Sequence, residues 1–198
     1  MDYRFPVEPT MTAVDTLWYK ADEADQQAER TYHQLSDAHS GYLEYERSRR
    51  VSRPRFRTLA ERIRENGLPY GAHTLVYRES GQLLLVRHEG VGMWVVPGGE
   101  VDGDETFKDG ARRELKEEAG VEADYDGLAI LARVSFRSDG YQTWGVLPVF
   151  EGRARTTDQT VSDPDDEISD ARWFTDLPED TRDRARLRRW RRQRFGSS

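Results

Sequence analysis

The stretch from Gly99 to Val121, GEVDGDETFKDGARRELKEEAGV, constrains this chain more than any other. A turn at Pro97-Gly98-Gly99 leads to a predicted helix from about Thr106 to Ala119, which Gly120 closes. On that helix Glu114, Glu117 and Glu118 stand at i, i+3 and i+4, so three carboxylates share one face. Such close carboxylates repel one another unless a cation sits among them. Hard oxygen ligands without His or Cys favour Mg²⁺ or Mn²⁺. Arg113 lies beside the acidic face and can pair with a neighbouring carboxylate. Gly98 and Gly99 allow a sharp turn and a close backbone approach to a ligand. Asp102, Asp104 and Glu105 fall where negative side chains suit a helix N-terminus. Phe107, Ala111, Leu115 and Ala119 fall on the opposite side and face a core. Three Glu alone would more often be a solvated face; the complete spacing makes the stretch specific.

That spacing is Gly, five residues, Glu, seven residues, Arg-Glu-aliphatic, one residue, Glu-Glu, one residue, Gly-aliphatic. Gly99, Glu105, Arg113, Glu114, Leu115, Glu117, Glu118, Gly120 and Val121 fill it without departure. It resembles the Nudix box, and the resemblance to the Nudix hydrolases covers about residues 70–177. The resemblance implies an α/β (α+β) fold, a mixed β-sheet sandwiched between helices, and hydrolysis of a diphosphate by a metal-activated water. It implies Glu114, Glu117 and Glu118 as metal ligands together with the Gly98 carbonyl, and Glu105 and Arg113 as braces that orient Glu114. The general base varies within the family. Here the acidic loop DPDDEISDARWF offers Glu167, with Asp165 and Asp166 beside it.

Composition sets the outer bounds. The chain has 198 residues and no Cys, which excludes a disulfide scaffold, thiolate metal sites and a Cys nucleophile. Its longest aliphatic run is Leu83 to Val86, far short of a bilayer span, and MDYRFPVEPT does not resemble a signal peptide. A soluble, cytoplasmic protein with no membrane role is the expectation. Charged residues make up 34%, and only Lys20, Lys108 and Lys116 are lysines. Residues 67–181 carry 11 basic and 24 acidic groups, whereas residues 182–198 carry 8 and 1. An acidic, Lys-poor chain resembles proteins of salt-loving archaea; GC-rich codon usage is the alternative reading.

Residues 1–66 lie outside the resemblance and read as a helical N-terminal region, with the hydrolase domain at 67–198. Val14, Leu17, Ala21, Ala24, Ala28, Thr31, Leu35 and Ala38 form a heptad stripe along a helix from Thr12 to about Ala38. The stripe can pack on the rest of the chain or on a second copy, and a homodimer through this helix is expected. Residues 45–57 are basic and broken by Pro54, before a short helix from Thr58 to Asn66. Strands are predicted at Tyr70–Glu79, Gln82–His88, Met93–Val96, Ala129–Arg137, Gln142–Gly152 and Ile168–Phe174. A final helix is predicted from Pro178 to about Phe195.

Substrate residues are less sharply marked. Arg78, Arg87, Arg133 and Arg137 lie on predicted strands and could meet phosphates. His73, His88, Trp94, Tyr141, Trp144 and Trp173 could stack on or bond a nucleotide, though core or rim roles are the commoner ones. The Arg-rich segments 45–57 and 182–195 could bind RNA, or could pair with the acidic middle of the chain. No Pro or Tyr stands at the offset that marks ADP-ribose or dinucleoside-polyphosphate members of the family. A nucleotide sugar such as ADP-ribose is the first expectation for substrate and a nucleoside triphosphate the second. A nucleotide-sensing or RNA-binding protein without turnover is the rival class.

Overall fold

The computed structural model describes residues 13–156, 158–162 and 166–196, with side chains from residue 16 onward. The side chain of Val14 and the whole of Asp165 therefore lie outside the described residues.

Helix α1 spans Ala13–Ala38, and Leu17, Ala21, Ala24, Ala28, Thr31 and Leu35 of the heptad stripe are buried. The small side chains let helix α2 (Arg53–Asn66) approach closely. Thr31 Oγ1 donates to the Asn66 carbonyl at 2.9 Å, and a Cβ on Gly67 would lie 2.3 Å from the same Oγ1. Gly67 has φ +87°, so it ends α2 in the left-handed region and leaves room for Thr31. Asp25 accepts from Thr143 Oγ1 at 2.8 Å and from the Trp144 backbone N–H at 3.1 Å, which fastens α1 to the sheet. The stripe is thus covered by the chain's own α2 and sheet. The stripe itself is therefore not open to a second copy, because those side chains already sit in the core.

The strands are β1 (Leu43–Arg50), β2 (Ala72–Tyr77), β3 (Leu83–His88), β4 (Met93–Val95), β5 (Gly98–Gly99), β6 (Ala123–Ser138), β7 (Tyr141–Ala154) and β8 (Ile168–Phe174). Their order is β1-β6-β7-β2-β3-β4, with β5 paired to β2 and β8 to β3. β1 runs parallel to β6, and β2 parallel to β7; the other pairs are antiparallel, so the sheet is mixed. Asp139 (φ +45°) and Gly140 (φ +87°) make the tight turn between β6 and β7, as a two-residue hairpin requires.

Helix α3 (Phe107–Ala119) lies on one face of the sheet, where Leu115 and Ala119 pack with Val76, Leu84 and Val86. Helix α4 (Arg184–Phe195) lies on the other, where Leu187 and Trp190 pack with Leu75, Tyr77 and Leu83. The alternation Leu75, Val76, Tyr77 sends successive side chains to opposite layers. Burying a side chain such as Leu187 contributes about 1.5–3 kcal/mol. The result is an α/β/α sandwich.

Two elements differ from expectation. The basic segment 45–57, expected to be broken by Pro54 ahead of a helix at Thr58, holds most of strand β1 and the first turn of α2, which starts at Arg53 behind a Ser52 cap with Pro54 in that turn. Long-range pairing with β6 decides this. At the other end, α4 starts at Arg184 and not at Pro178. Trp94 N–H donates to the Asp180 carbonyl and Arg182 N–H to the Trp94 carbonyl, so Thr181 bridges to Trp94 between two turns. Asp183 precedes α4 with φ +54° and caps nothing, because its carboxylate is engaged elsewhere.

Candidate active site

The acidic wall is built around two glycines. β5 pairs with the start of β2, which sets Gly98 against His73 and Gly99 against Ala72. Gly98 has φ +147°, and a Cβ there would lie 2.5 Å from the Ala72 carbonyl oxygen. A Cβ on Gly99 would lie 2.7 Å from the Glu114 carboxyl carbon. Only glycine lets this backbone pass so close to the α3 carboxylates. Glu118 is 8% exposed, and its Oε2 accepts the Gly98 N–H at 2.8 Å. Thr106 caps α3 by accepting from the Asp109 N–H, and Gly120 closes it at φ +66°.

Arg113 gathers the rest of this wall. Its Nε and Nη2 bind the two oxygens of Glu105 at 3.0 and 3.1 Å, a bidentate fork. Nη2 also donates to the Glu100 carbonyl at 2.8 Å, and Nη1 reaches Glu114 at 2.9 Å and Glu117 at 3.1 Å. Those bonds hold Glu105 below the usual carboxylate range and push Arg113 further up from its ordinary value. One guanidinium thus serves three carboxylates. Among the described residues no three His, Asp or Glu are gathered closely enough to cage a metal.

Opposite stands a basic wall. Both walls line one cleft of about 910 Å³, which includes Glu114, Glu118, Arg47, Arg49 and Arg182. On β1 the residues Leu43, Tyr45, Arg47 and Arg49 alternate onto the less exposed face. Arg47 Nη1 donates to Asp183 Oδ2 at 3.0 Å, and Tyr45 Oη donates to the same oxygen at 3.2 Å. Burial, with Asp183 nearby, pushes the Tyr45 phenol up to about 12. Arg182 is pulled below its ordinary value by burial and by Arg49 and Arg47. His73 lies on the floor between the walls. Burial and the nearby Arg182 and Arg47 depress its imidazole to about 4, so it stays neutral. Arg62 of α2 forms an ion pair with Glu100 and ties one wall to the other.

The sequence-derived candidates divide accordingly. Gly98, Glu114, Glu118, Arg113 and Glu167 line the cleft, while Glu105 and Glu117 join it through Arg113. Glu167 lies at the exposed rim, with His88 Nε2 at 3.5 Å from its Oε2. Arg78, Arg87 and Arg137 do not line the cleft. Arg78 lies over the Trp173 ring at 4.0 Å, and Arg87 pairs with Asp180. Arg137 is exposed at the far end of β6. Arg133 lies over the rings of Tyr32 and Trp144. Besides Arg113, the cleft's arginines are Arg47, Arg49, Arg50, Arg55, Arg62 and Arg182. The period-two alternation Leu43, Tyr45, Arg47, Arg49 was the available signal for the first two.

On α4, Leu187 and Trp190 are buried, Arg194 binds Glu151 and the Tyr77 hydroxyl, and Arg186 lies over the Tyr45 ring at 3.8 Å. No described helix is long and apolar enough to cross a membrane.

A family model for the NUDIX domain matches residues 67–192. A Bacillus subtilis (strain 168) protein provisionally named 8-oxo-dGTP diphosphatase is 35% identical over 78 residues, 39% of this chain and 52% of that one. A MutT-like protein of Streptomyces ambofaciens is 43% identical over 54 residues, 27% of this chain and 35% of that one. The chain therefore spans about half the length of the first of these relatives and about a third of the second. Among solved structures, a MutT NUDIX hydrolase from Burkholderia pseudomallei is 27% identical with a TM-score of 0.48, over 60% of this chain and 94% of that one. An ADP-ribose pyrophosphatase from Streptococcus suis is 19% identical with a TM-score of 0.46, over 64% and 92%. With the family model matched over most of its length and the box at one wall of its cleft, the chain belongs to the Nudix family.

Proposed function

We propose that this protein is a Mg²⁺- or Mn²⁺-dependent pyrophosphohydrolase that cleaves a diphosphate linkage in a nucleotide. The observation that carries the reading is Glu118: a buried carboxylate, bonded to the Gly98 N–H, at the foot of a cleft whose other wall is cationic. The all-oxygen donor set fits a hard divalent cation in kind, and Glu114, Glu117, Glu118 and the Gly98 carbonyl would hold it. Such a cation supplies charge neutralisation at the phosphoryl oxygens and an activated water. The chain's own residues do the positioning. Gly99 leaves room for Glu114, Arg113 fixes Glu114 and Glu117, and Glu105 fixes Arg113. Glu167 at the rim, beside His88, is our candidate to take the proton from the attacking water.

A nucleotide sugar such as ADP-ribose and a nucleoside triphosphate both satisfy the acidic wall. The excess of guanidinium groups opposite favours the triphosphate, and so does the activity in the name of the Bacillus subtilis relative. The test is a release screen over nucleotide sugars, triphosphates, dinucleoside polyphosphates and capped RNA with either cation. Turnover of one class that Glu118→Gln abolishes supports the reading. A folded, cation-loaded protein that turns over none of them shifts weight to a nucleotide-sensing protein. Adaptation to high salt is a separate proposal: the fold should lose stability on moving from molar to low salt, and an unchanged melting temperature refutes it.

A further inference from the structure

The cations of the basic wall are not a solvated charge run. Arg47 has a side-chain exposure of 15%, and its Nε is buried with no hydrogen-bond partner among the described residues. Arg182 is half-buried close to Arg47 and Arg49, which repel it. Among the described residues neither Arg49 nor Arg182 has an ion-pair partner. The one carboxylate that Arg47 pairs with, Asp183, also takes the Tyr45 hydroxyl and pairs with Arg186. Like charges held together out of water destabilise a fold unless something offsets them. An incoming polyanion does so, and guanidinium forks match phosphate oxygens.

The cluster also adjoins the acidic wall. His73 shares the floor of the cleft with it, and the His73 ring lies against Gly98, whose N–H holds Glu118. The imidazole Nδ1 is buried and unpartnered among the described residues. A phosphate chain whose scissile linkage faces Glu118 would run its next phosphate towards these guanidinium groups. A nucleotide sugar would bring an uncharged sugar to the same place.

We propose that Arg47, Arg49 and Arg182 form an anion subsite for the terminal phosphate of a nucleoside triphosphate, and that this subsite sets substrate choice. The subsite rests on the placement of these three cations in the cleft; its use in turnover rests on the hydrolase reading above.

Two measurements separate these claims. The first is calorimetric titration with inorganic tripolyphosphate in the absence of divalent cations. Each guanidinium removed should weaken binding roughly tenfold. We expect Arg49→Gln/Arg182→Gln to bind about a hundredfold more weakly than wild type, and Arg49→Gln alone about tenfold. Arg189→Gln, exposed on α4 and outside the cleft, should bind as wild type does. Should the double variant not fold, Arg49→Gln alone decides. Affinity for tripolyphosphate that survives these changes overturns the subsite. The second measurement is the ratio of kcat/KM for a nucleoside triphosphate to that for ADP-ribose. It should fall at least tenfold in Arg49→Gln, and an unchanged ratio overturns the role in substrate choice. A wild type that binds tripolyphosphate through these arginines but turns over no nucleotide sinks the hydrolase reading and leaves the subsite standing.

Discussion

The two walls of the cleft carry opposite imbalances. In the acidic wall one guanidinium, Arg113, serves Glu105, Glu114 and Glu117, while Glu118 is held by a backbone N–H. In the basic wall Arg49 and Arg47 lie close to Arg182, and the carboxylate beside them, Asp183, is shared with Arg186. Neither wall neutralises the other, apart from the Arg62–Glu100 tie. The first is short of positive charge and the second of negative charge. A cation with a phosphate chain attached supplies both at once. That is a physical reason for keeping two such walls about one cleft when each destabilises the protein by itself.

The comparison can be broken from either side. Glu118→Gln keeps the shape of the acidic wall and removes its most buried charge; we expect a loss of nucleotide hydrolysis of roughly 10²–10³-fold in kcat. Arg113→Ala leaves three carboxylates without their shared partner. It should lower kcat about 10–100-fold, the range for a residue that positions ligands, and a kcat within twofold of wild type would show that the brace is idle. Gly99→Ala drives a methyl group into the Glu114 carboxylate while leaving the helix sequence untouched. It should reduce activity more than it reduces the melting temperature, and the reverse order would mean that the glycine serves the fold alone. The smallest effect is on pH. Arg113 holds Glu105 below its ordinary value of 4.5, so Glu105 adds stability above that value and loses it as the pH falls through its lowered pKa. Melting curves of wild type and Glu105→Gln should differ at neutral pH and converge in acid. A gap that does not shrink as the pH falls below 4.5 and on through full protonation would contradict the Glu105–Arg113 pairing.

The walls also differ in how visible they are in the chain. The acidic one is local: box, cap and closing glycine follow within 23 residues, and helical spacing alone puts the three glutamates on one face. Strand β8 was equally plain from its own residues, Ile168–Phe174. The basic wall is assembled from β1 and α2 and, more than 100 residues later, the segment before α4, and only the fold brings them together. Local rules misread each part. Asp176 and Pro178 looked like a helix start, but two turns and the bridge from Thr181 to Trp94 occupy the chain until Asp183. Asp183 in turn leaves its capping role to hold Arg47 and Tyr45. Arg78 and Arg87 looked available because their partners, Trp173 and Asp180, are distant in sequence.

The position of β1 at the rim of the sheet has a consequence for the charge of the cleft. Tyr45, Arg47 and Arg49 turn into the cleft, while Glu44, Glu46 and Ser48 turn away from it. A slip of one residue along β6 exchanges the two sets. In the slipped register glutamates would face the cleft, and the wall we propose to attract phosphate would repel it. The sign of this surface therefore depends on β1 keeping its register along β6, and no residue of the box need change for it to invert.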